Sequence, residues 1–317
     1  MPYKNPFKQN KFFLISSFLF VLWAALYIFK SSFVGLNGHR YFMLFDDAMI
    51  SMRFAWNFAH GLGLVWNAGE YVQGYTNLLM TLIMSVPAFF FSKQNAVLVI
   101  QIFGIPTVLL IAFSTVWIAR RVIDLRSNQE ALYKLIFVSV LLYYPLIYWS
   151  LMGMETGLLC ALLLLSILFS LRYVDERSPR DLFFIAFLMG LAFLTRNESA
   201  LFAGIIFLFV CFELYKKRSL IQSLPLVAIA ATVYLLFIFG QLAFQYAYYD
   251  EWLPNTYVLK LTGMSFVDRV ANGIGFIKPF LLYTAPLLFF STGLLIKKFS
   301  IRYLYIISFP VVSILYQ

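Results

Sequence analysis

Residues 76–92 read TNLLMTLIMSVPAFFFS, interrupted by Pro87, and whether this run crosses a bilayer decides which side of the membrane every later residue faces. If it crosses, the clusters Arg120/Arg121/Arg126/Lys134, Arg172/Arg177/Arg180, Lys216/Lys217/Arg218 and Lys297/Lys298/Arg302 all fall outside, against the preference of Lys and Arg for cytoplasmic loops. If it lies in the interface or re-enters, those clusters join Lys4, Lys8 and Lys11 inside, and this is the topology expected. The bases left outside are then Lys30, Arg40, Arg53, Lys93, Arg196, Lys260, Arg269 and Lys278. The N-terminus is cytoplasmic, the first outer loop covers about 31–95, and cytoplasmic loops centre on Arg121, Arg177, Lys217 and Lys298.

Outward from that run the chain repeats the same apolar texture. Further runs occupy about 12–29, 96–119, 131–149, 157–171, 182–195, 199–215, 222–247, 276–296 and 301–316, which predicts nine spanning helices. With 62% hydrophobic residues and a mean hydropathy of +0.84, the 317 residues are expected to form an all-α polytopic membrane domain. No repeat, low-complexity tract or soluble domain interrupts it. The first run follows Lys4, Lys8 and Lys11 and has no cleavage site after it, so it is an uncleaved helix. The net charge of +10 comes from short clusters between apolar runs and orients the chain, so nucleic acid is excluded as a partner. Cys160 and Cys211 fall inside apolar runs with no metal-ligand spacing around them.

The one long segment that is neither span nor ordinary loop is Asp46 to Leu79, DDAMISMRFAWNFAHGLGLVWNAGEYVQGYTNLL. Adjacent acids beside a membrane segment are costly and mark a functional candidate. Asp46 can cap a helix from about Ala48 to His60, in which Met49, Met52, Trp56 and Ile50, Phe54, Phe58 recur at helical spacing; Gly61 and Gly63 end it. Arg53 lies two turns after Asp46, on the same face, so an acid and a cation can address one ligand.

Together with VQGYTNLLMTL, GMETGLL and YYDEWLPNTYVLK, that segment resembles the membrane glycosyltransferases of the GT-C superfamily. The likeness is greatest to the group containing the mycobacterial terminal β-1,2-arabinofuranosyltransferase. The resemblance implies a polyprenyl-phosphate sugar donor, a glycan or glycolipid acceptor, and work at the extracytoplasmic face of the bacterial cytoplasmic membrane. It places the family's acidic pair on Asp46 and Asp47 and the loop Tyr248–Lys260 over the donor site. Members of the family usually continue with further helices and an extracytoplasmic domain, so the sequence, which stops at Gln317, is either a short relative or a fragment lacking that C-terminal region, and a fragment is expected. Several enzymes of the superfamily use a divalent cation, which leaves a metal possible here and no other cofactor indicated.

Such a transfer needs a carboxylate to take the acceptor proton and cations to stabilise the departing lipid phosphate. Asp46 and Asp47 are the base candidates. Glu155, at a helix start after Gly153, either orients an acceptor hydroxyl or favours the helix dipole. Arg196 and Glu198 interrupt two short apolar runs, and either bind phosphate or pair with each other across a hairpin; the family commonly has Pro where Asn197 stands. Asn255 and Lys260 follow Pro254 and suit an anion, although an interfacial lysine also snorkels towards headgroups. Tyr248, Tyr249, Trp252 and Tyr257 fit an interfacial belt or a sugar platform. His39 and His60 flank the loop helix, where a cation shared by His60 with an Asp is conceivable and loop solvation is the simpler reading. Two rivals stand beside the transferase: a flippase for a lipid-linked saccharide, which would show paired halves that are absent here, and a non-catalytic relative that keeps the fold.

Overall fold

The computed structural model describes residues 11–123, 129–263, 265, 267–275, 277–279, 282 and 300–316. In chain order it consists of α1 (Lys11–Ser31), a short hairpin of β1 (Phe33–Val34) and β2 (Arg40–Tyr41), α2 (Asp46–Ala59), α3 (Leu78–Phe90), α4 (Lys93–Val122), α5 (Gln129–Leu141), α6 (Tyr144–Leu151), α7 (Thr156–Glu176), α8 (Pro179–Thr195), α9 (Ser199–Lys216), α10 (Leu220–Tyr249), α11 (Asn255–Leu261) and α12 (Ile301–Tyr316). The two strands pair antiparallel, Phe33 opposite Tyr41, and add the only β-structure among the described residues to an otherwise helical chain.

Five described helices, α1, α4, α7, α9 and α10, are long and apolar enough to cross a membrane. The run 131–149 is broken rather than continuous: α5 and α6 meet at 48° and make at most a sixth, bent span. The break follows from Pro145, whose ring clashes with the carbonyl four residues back at Leu141, where α5 stops. The nine spans expected from sequence also counted α8 (17 residues), α12 (16 residues) and the run 276–296, most of which lies outside the described residues. α3 has 13 residues, about 20 Å of helix against a hydrocarbon core of about 30 Å. Its length therefore favours the non-crossing reading of 76–92.

The main core lies where α7, α8, α9 and α10 meet, with Leu171, Ile185, Met189, Ile206 and Val210 fully buried. A second cluster joins α1, α4 and α5 through Ala24, Val108, Ala112 and Phe137. Close helix approach depends on small residues, as expected where lipid gives no hydrophobic drive between helices. A Cβ on Gly104 of α4 would stand 2.4 Å from the carbonyl oxygen of Ser150 in α6, and one on Gly190 of α8 would stand 2.3 Å from the Phe237 ring.

The basic clusters gather at one end of the bundle. Arg121 at the end of α4 bonds Asp175 (3.0 Å) and Glu176 (2.6 Å) at the end of α7. Arg302 at the start of α12 pairs with Asp175 and donates to the carbonyl of Arg121 (3.1 Å), and Lys217 donates to the carbonyl of Val174 (2.7 Å). Arg126, Lys297 and Lys298 lie outside the described residues. Because α7 to α10 run alternately up and down from this end, Glu155, the turn between α8 and α9, and Asp250 all arrive at the opposite end.

Replacing Gly104 by Ala is expected to separate α4 from α6 and lower stability by about 1–3 kcal/mol, whereas Gly240→Ala, with open space around it, has no such cost. Thermal unfolding of the two variants in detergent measures the difference, and equal melting temperatures contradict the packing described.

Candidate active site

The acidic helix begins differently from the sequence expectation. Asp46 is the first residue of α2 and not its cap; the N-cap is Phe45, in extended conformation (φ −61°, ψ 154°), with no side chain capping the helix. Phe45 is fixed from outside: its N–H donates to the carbonyl of Met152 (2.9 Å), and its ring meets Trp149 edge-on at 4.7 Å. Gln101 of α4 donates to the carbonyl of Met43 (3.0 Å), and Leu44 fills the space where Gly153 would carry a Cβ, at 2.8 Å. Gly153 has φ +78°, so this position in GMETG demands glycine on both counts. With Met43 to Phe45 held straight, the helix starts at Asp46. Both carboxylates occupy its first turn and are exposed, and Asp46 Oδ1 accepts from the Asp47 N–H (2.9 Å). Arg53, also exposed, donates from Nε to the carbonyl of Trp66 (3.3 Å).

Behind α2 runs a chain of buried polar groups. Ser51 Oγ and Thr81 Oγ1 donate to Asn77 Oδ1 (2.9 and 3.1 Å), Asn77 Nδ2 donates to Glu155 Oε2 (2.9 Å), and Arg196 Nη1 donates to Glu155 Oε1 (2.9 Å). Arg196 Nε also pairs with Glu198. Glu155 is 3% exposed and stands at the N-cap of α7, but its carboxylate is spent on Asn77 and Arg196 rather than on the helix end. Burial alone would lower the Arg196 pKa, but Glu198 and Glu155 outweigh it and raise the value above the ordinary one.

The chain continues into α10 and the last motif. Gln241 Nε2 donates to Asn197 Oδ1 (3.0 Å), Gln245 Nε2 donates to Gln73 Oε1 (3.1 Å), and the Asn255 N–H donates to the Gln73 carbonyl (3.1 Å). The structure thus brings together Glu155, Arg196 and Glu198, and ties Asn255 to the loop before α3 by its backbone. The side chain of Lys260 lies outside the described residues. Sequence reasoning missed Ser51, Gln73, Asn77, Gln241 and Gln245. The available signal was two amides four residues apart in the apolar run of α10, which are costly there unless partnered.

Tyr248 and Tyr249 hold the loop after α2. The Leu64 N–H donates to Tyr248 Oη (2.9 Å), and Tyr249 Oη donates to the Leu64 carbonyl (2.7 Å) and lies 3.1 Å from Tyr75 Oη. Burial, followed by the proximity of Tyr249, pushes the Tyr75 phenol well above its usual range. Trp252 is exposed and stacks on Tyr246 at 4.6 Å, and the side chain of Tyr257 lies outside the described residues. His60 stacks on Trp56 (4.2 Å), with Nδ1 2.8 Å from that residue's carbonyl, and is thereby occupied; His39 is exposed. Among the described residues no group of three or more His, Cys, Asp or Glu is placed to hold a metal ion.

A family model described as dolichyl-phosphate-mannose-protein mannosyltransferase matches residues 75–243. The chain belongs to that family, and with it to the GT-C superfamily. It is a membrane glycosyltransferase taking its sugar from a polyprenyl-phosphate donor. No curated protein and no solved structure matches it. The matched residues include Asn77, Glu155, Arg196, Glu198 and Gln241, while Asp46 and Asp47 precede them.

Arg196→Gln leaves the buried Glu155 carboxylate with Asn77 alone and is expected to lower stability by about 1–3 kcal/mol. Adding Glu155→Gln removes the stranded charge, so the double variant should melt above the Arg196→Gln single variant in detergent. Additive losses would show that the two residues do not depend on each other.

Proposed function

We propose that this chain transfers a sugar from its polyprenyl-phosphate donor to a glycan or glycolipid acceptor at the extracytoplasmic face of the bacterial cytoplasmic membrane, with one of Asp46 and Asp47 as general base. The observation that carries this reading is the exposed acid pair, set on a rigid helix start beside the buried Glu155–Arg196 knot and at the end of the bundle opposite the basic clusters. Lys and Arg favour the cytoplasmic side, so the acid-bearing end faces away from it.

In the step itself, the acceptor hydroxyl oxygen attacks the anomeric carbon as its proton passes to the carboxylate. The carbon–oxygen bond to the phosphate breaks, and its electron pair leaves with the lipid phosphate. Neighbouring residues on a helix diverge by about 100°, so the two acids do not address one hydroxyl together. Asp46 is assigned as base because it shares the Arg53 face; Asp47 orients the acceptor. Glu155, Arg196 and Asn77 position the helix start and the α8–α9 turn around the acceptor. Arabinofuranose as the sugar follows only from the resemblance of the quoted motifs.

The N-cap residue Phe45 makes no side-chain cap bond, and Asn keeps the oxygen with which Asp46 accepts from the Asp47 N–H, so Asp46→Asn and Asp47→Asn leave the helix intact. Loss of the base is expected to slow transfer from a synthetic lipid-phosphate sugar by about 10² to 10⁴, with the larger loss at Asp46. Transfer within a few-fold of wild type in both folded variants removes the catalytic assignment.

A further inference from the structure

Between α1 and α2 the chain turns through a hairpin that the transfer chemistry does not use. β1 and β2 make only two residue pairs, Phe33 with Tyr41 and Val34 with Arg40. Its shape is nevertheless fixed from within. The Gly35 N–H donates to the carbonyl of His39 (2.9 Å), Asn37 Nδ2 donates to Tyr41 Oη (2.6 Å), and the Phe33 ring stacks on Tyr41 at 5.7 Å. A two-stranded hairpin is marginal in water on its own, and this one also presents Phe33, Val34 and a fully exposed Leu36. Such a run of apolar side chains marks a surface that another phase or molecule covers.

The position of the hairpin says which. α1 has 21 residues, so it is about 31 Å long and matches a hydrocarbon core of about 30 Å. Its last residue, Ser31, therefore stands at the edge of the hydrocarbon, and the hairpin begins at headgroup level. Ile15, Leu19, Leu22, Leu26 and Phe29 recur at helical spacing and are all exposed, which gives α1 a continuous apolar stripe towards the bilayer. The hairpin is folded back onto the end of that stripe. Arg40 donates from Nη1 to Ser32 Oγ (2.7 Å), and its guanidinium carbon lies 4.2 Å from the centroid of the Phe29 ring. A cation at this place is costly within hydrocarbon. No Asp or Glu precedes Asp46 in the sequence, and no carboxylate pairs with Arg40 among the described residues. Phospholipid phosphates lie at the depth to which such a side chain reaches.

We propose that the hairpin 33–41 is a membrane-bedded finger: Phe33, Val34 and Leu36 enter the headgroup–acyl boundary of the leaflet at the acid-bearing end, and Arg40 meets the phospholipid phosphates beside Phe29. The occupant is the lipid surface itself, because the apolar stripe of α1 runs into the hairpin without a break. Tyr41 lies five residues before Asp46, so the bedded finger also sets the level at which α2 starts. It does so whatever chemistry the two acids perform.

The test uses the full chain, with Cys160→Ala and Cys211→Ala, in phospholipid nanodiscs, and places a fluorophore on Leu36→Cys. Phospholipid brominated near the headgroup or near the chain ends quenches from within the bilayer, and iodide quenches from the water. The label at Leu36 is expected to respond more to bromine near the headgroup than to bromine near the chain ends, the reverse of a label on Leu19→Cys in the middle of α1. Iodide should quench it several-fold less than a label on Asn67→Cys. Adding Arg40→Gln should raise the iodide quenching at Leu36 several-fold, whereas Arg40→Lys should keep it low. Iodide quenching equal to that at Asn67 with no response to brominated lipid overturns the proposal. Shielding from both quenchers also overturns it, since a protein surface would then cover the finger. An unchanged response in Arg40→Gln removes the phosphate contact.

Discussion

Burying a carboxylate in an apolar bundle is costly unless its oxygens are occupied, and Glu155 meets this with one oxygen on Asn77 and the other on Arg196. That sharing joins three parts of the chain distant in sequence. Asn77 starts α3 and also bonds Ser51, and so fixes α2; Arg196 ends α8; Glu155 opens α7 beside Gly153, on which Leu44 in the extended stretch before Asp46 rests. The exposed acids owe their position to a knot in which they take no part. A second set of bonds, from Gln241, Gln245, Tyr248 and Tyr249, brings α10 and the last motif against the same region.

The placement of charge divides the molecule by role. At one end Arg121, Asp175, Glu176 and Arg302 hold helix ends together in ordinary ion pairs. At the other end Arg196 has two carboxylates, while Arg53 and Lys93 have none among the described residues. The acid helix carries both kinds of task, with its buried face of Ser51, Met52, Phe54 and Asn57 committed to packing and its Asp46–Arg53 face left open.

Much of this was readable from the residues alone. Apolar runs with basic flanks required a polytopic helical membrane chain, and the quoted motifs pointed to a superfamily to which it belongs. The acidic segment, its glycine stop and the Arg196–Glu198 pair could all be found there. The cap at Phe45 could not, because it depends on Met152 lying across from it, more than a hundred residues later. Nor could the partners of Glu155: Asn77 and Arg196 lie far from it in sequence, and spacing rules are silent on contacts made only when helices pack. Lys93 looked like a loop base until α4 began at that residue and turned it towards Arg53. Pro145, by contrast, was visible, and its effect on the run 131–149 follows from ring sterics.

Sidedness joins this fold to its chemistry, because a base at Asp46 meets a lipid-linked sugar and an external acceptor only if the motif-bearing end faces away from the cytoplasm. In a background with Cys160 and Cys211 replaced by Ala, single cysteines at Asn67 and Ser178 report on the two ends of the bundle. A maleimide unable to cross the membrane, applied to intact cells, is expected to label the cysteine at Asn67 and to reach the one at Ser178 only after permeabilisation. The reverse pattern would place the acid pair on the cytoplasmic side and contradict the account.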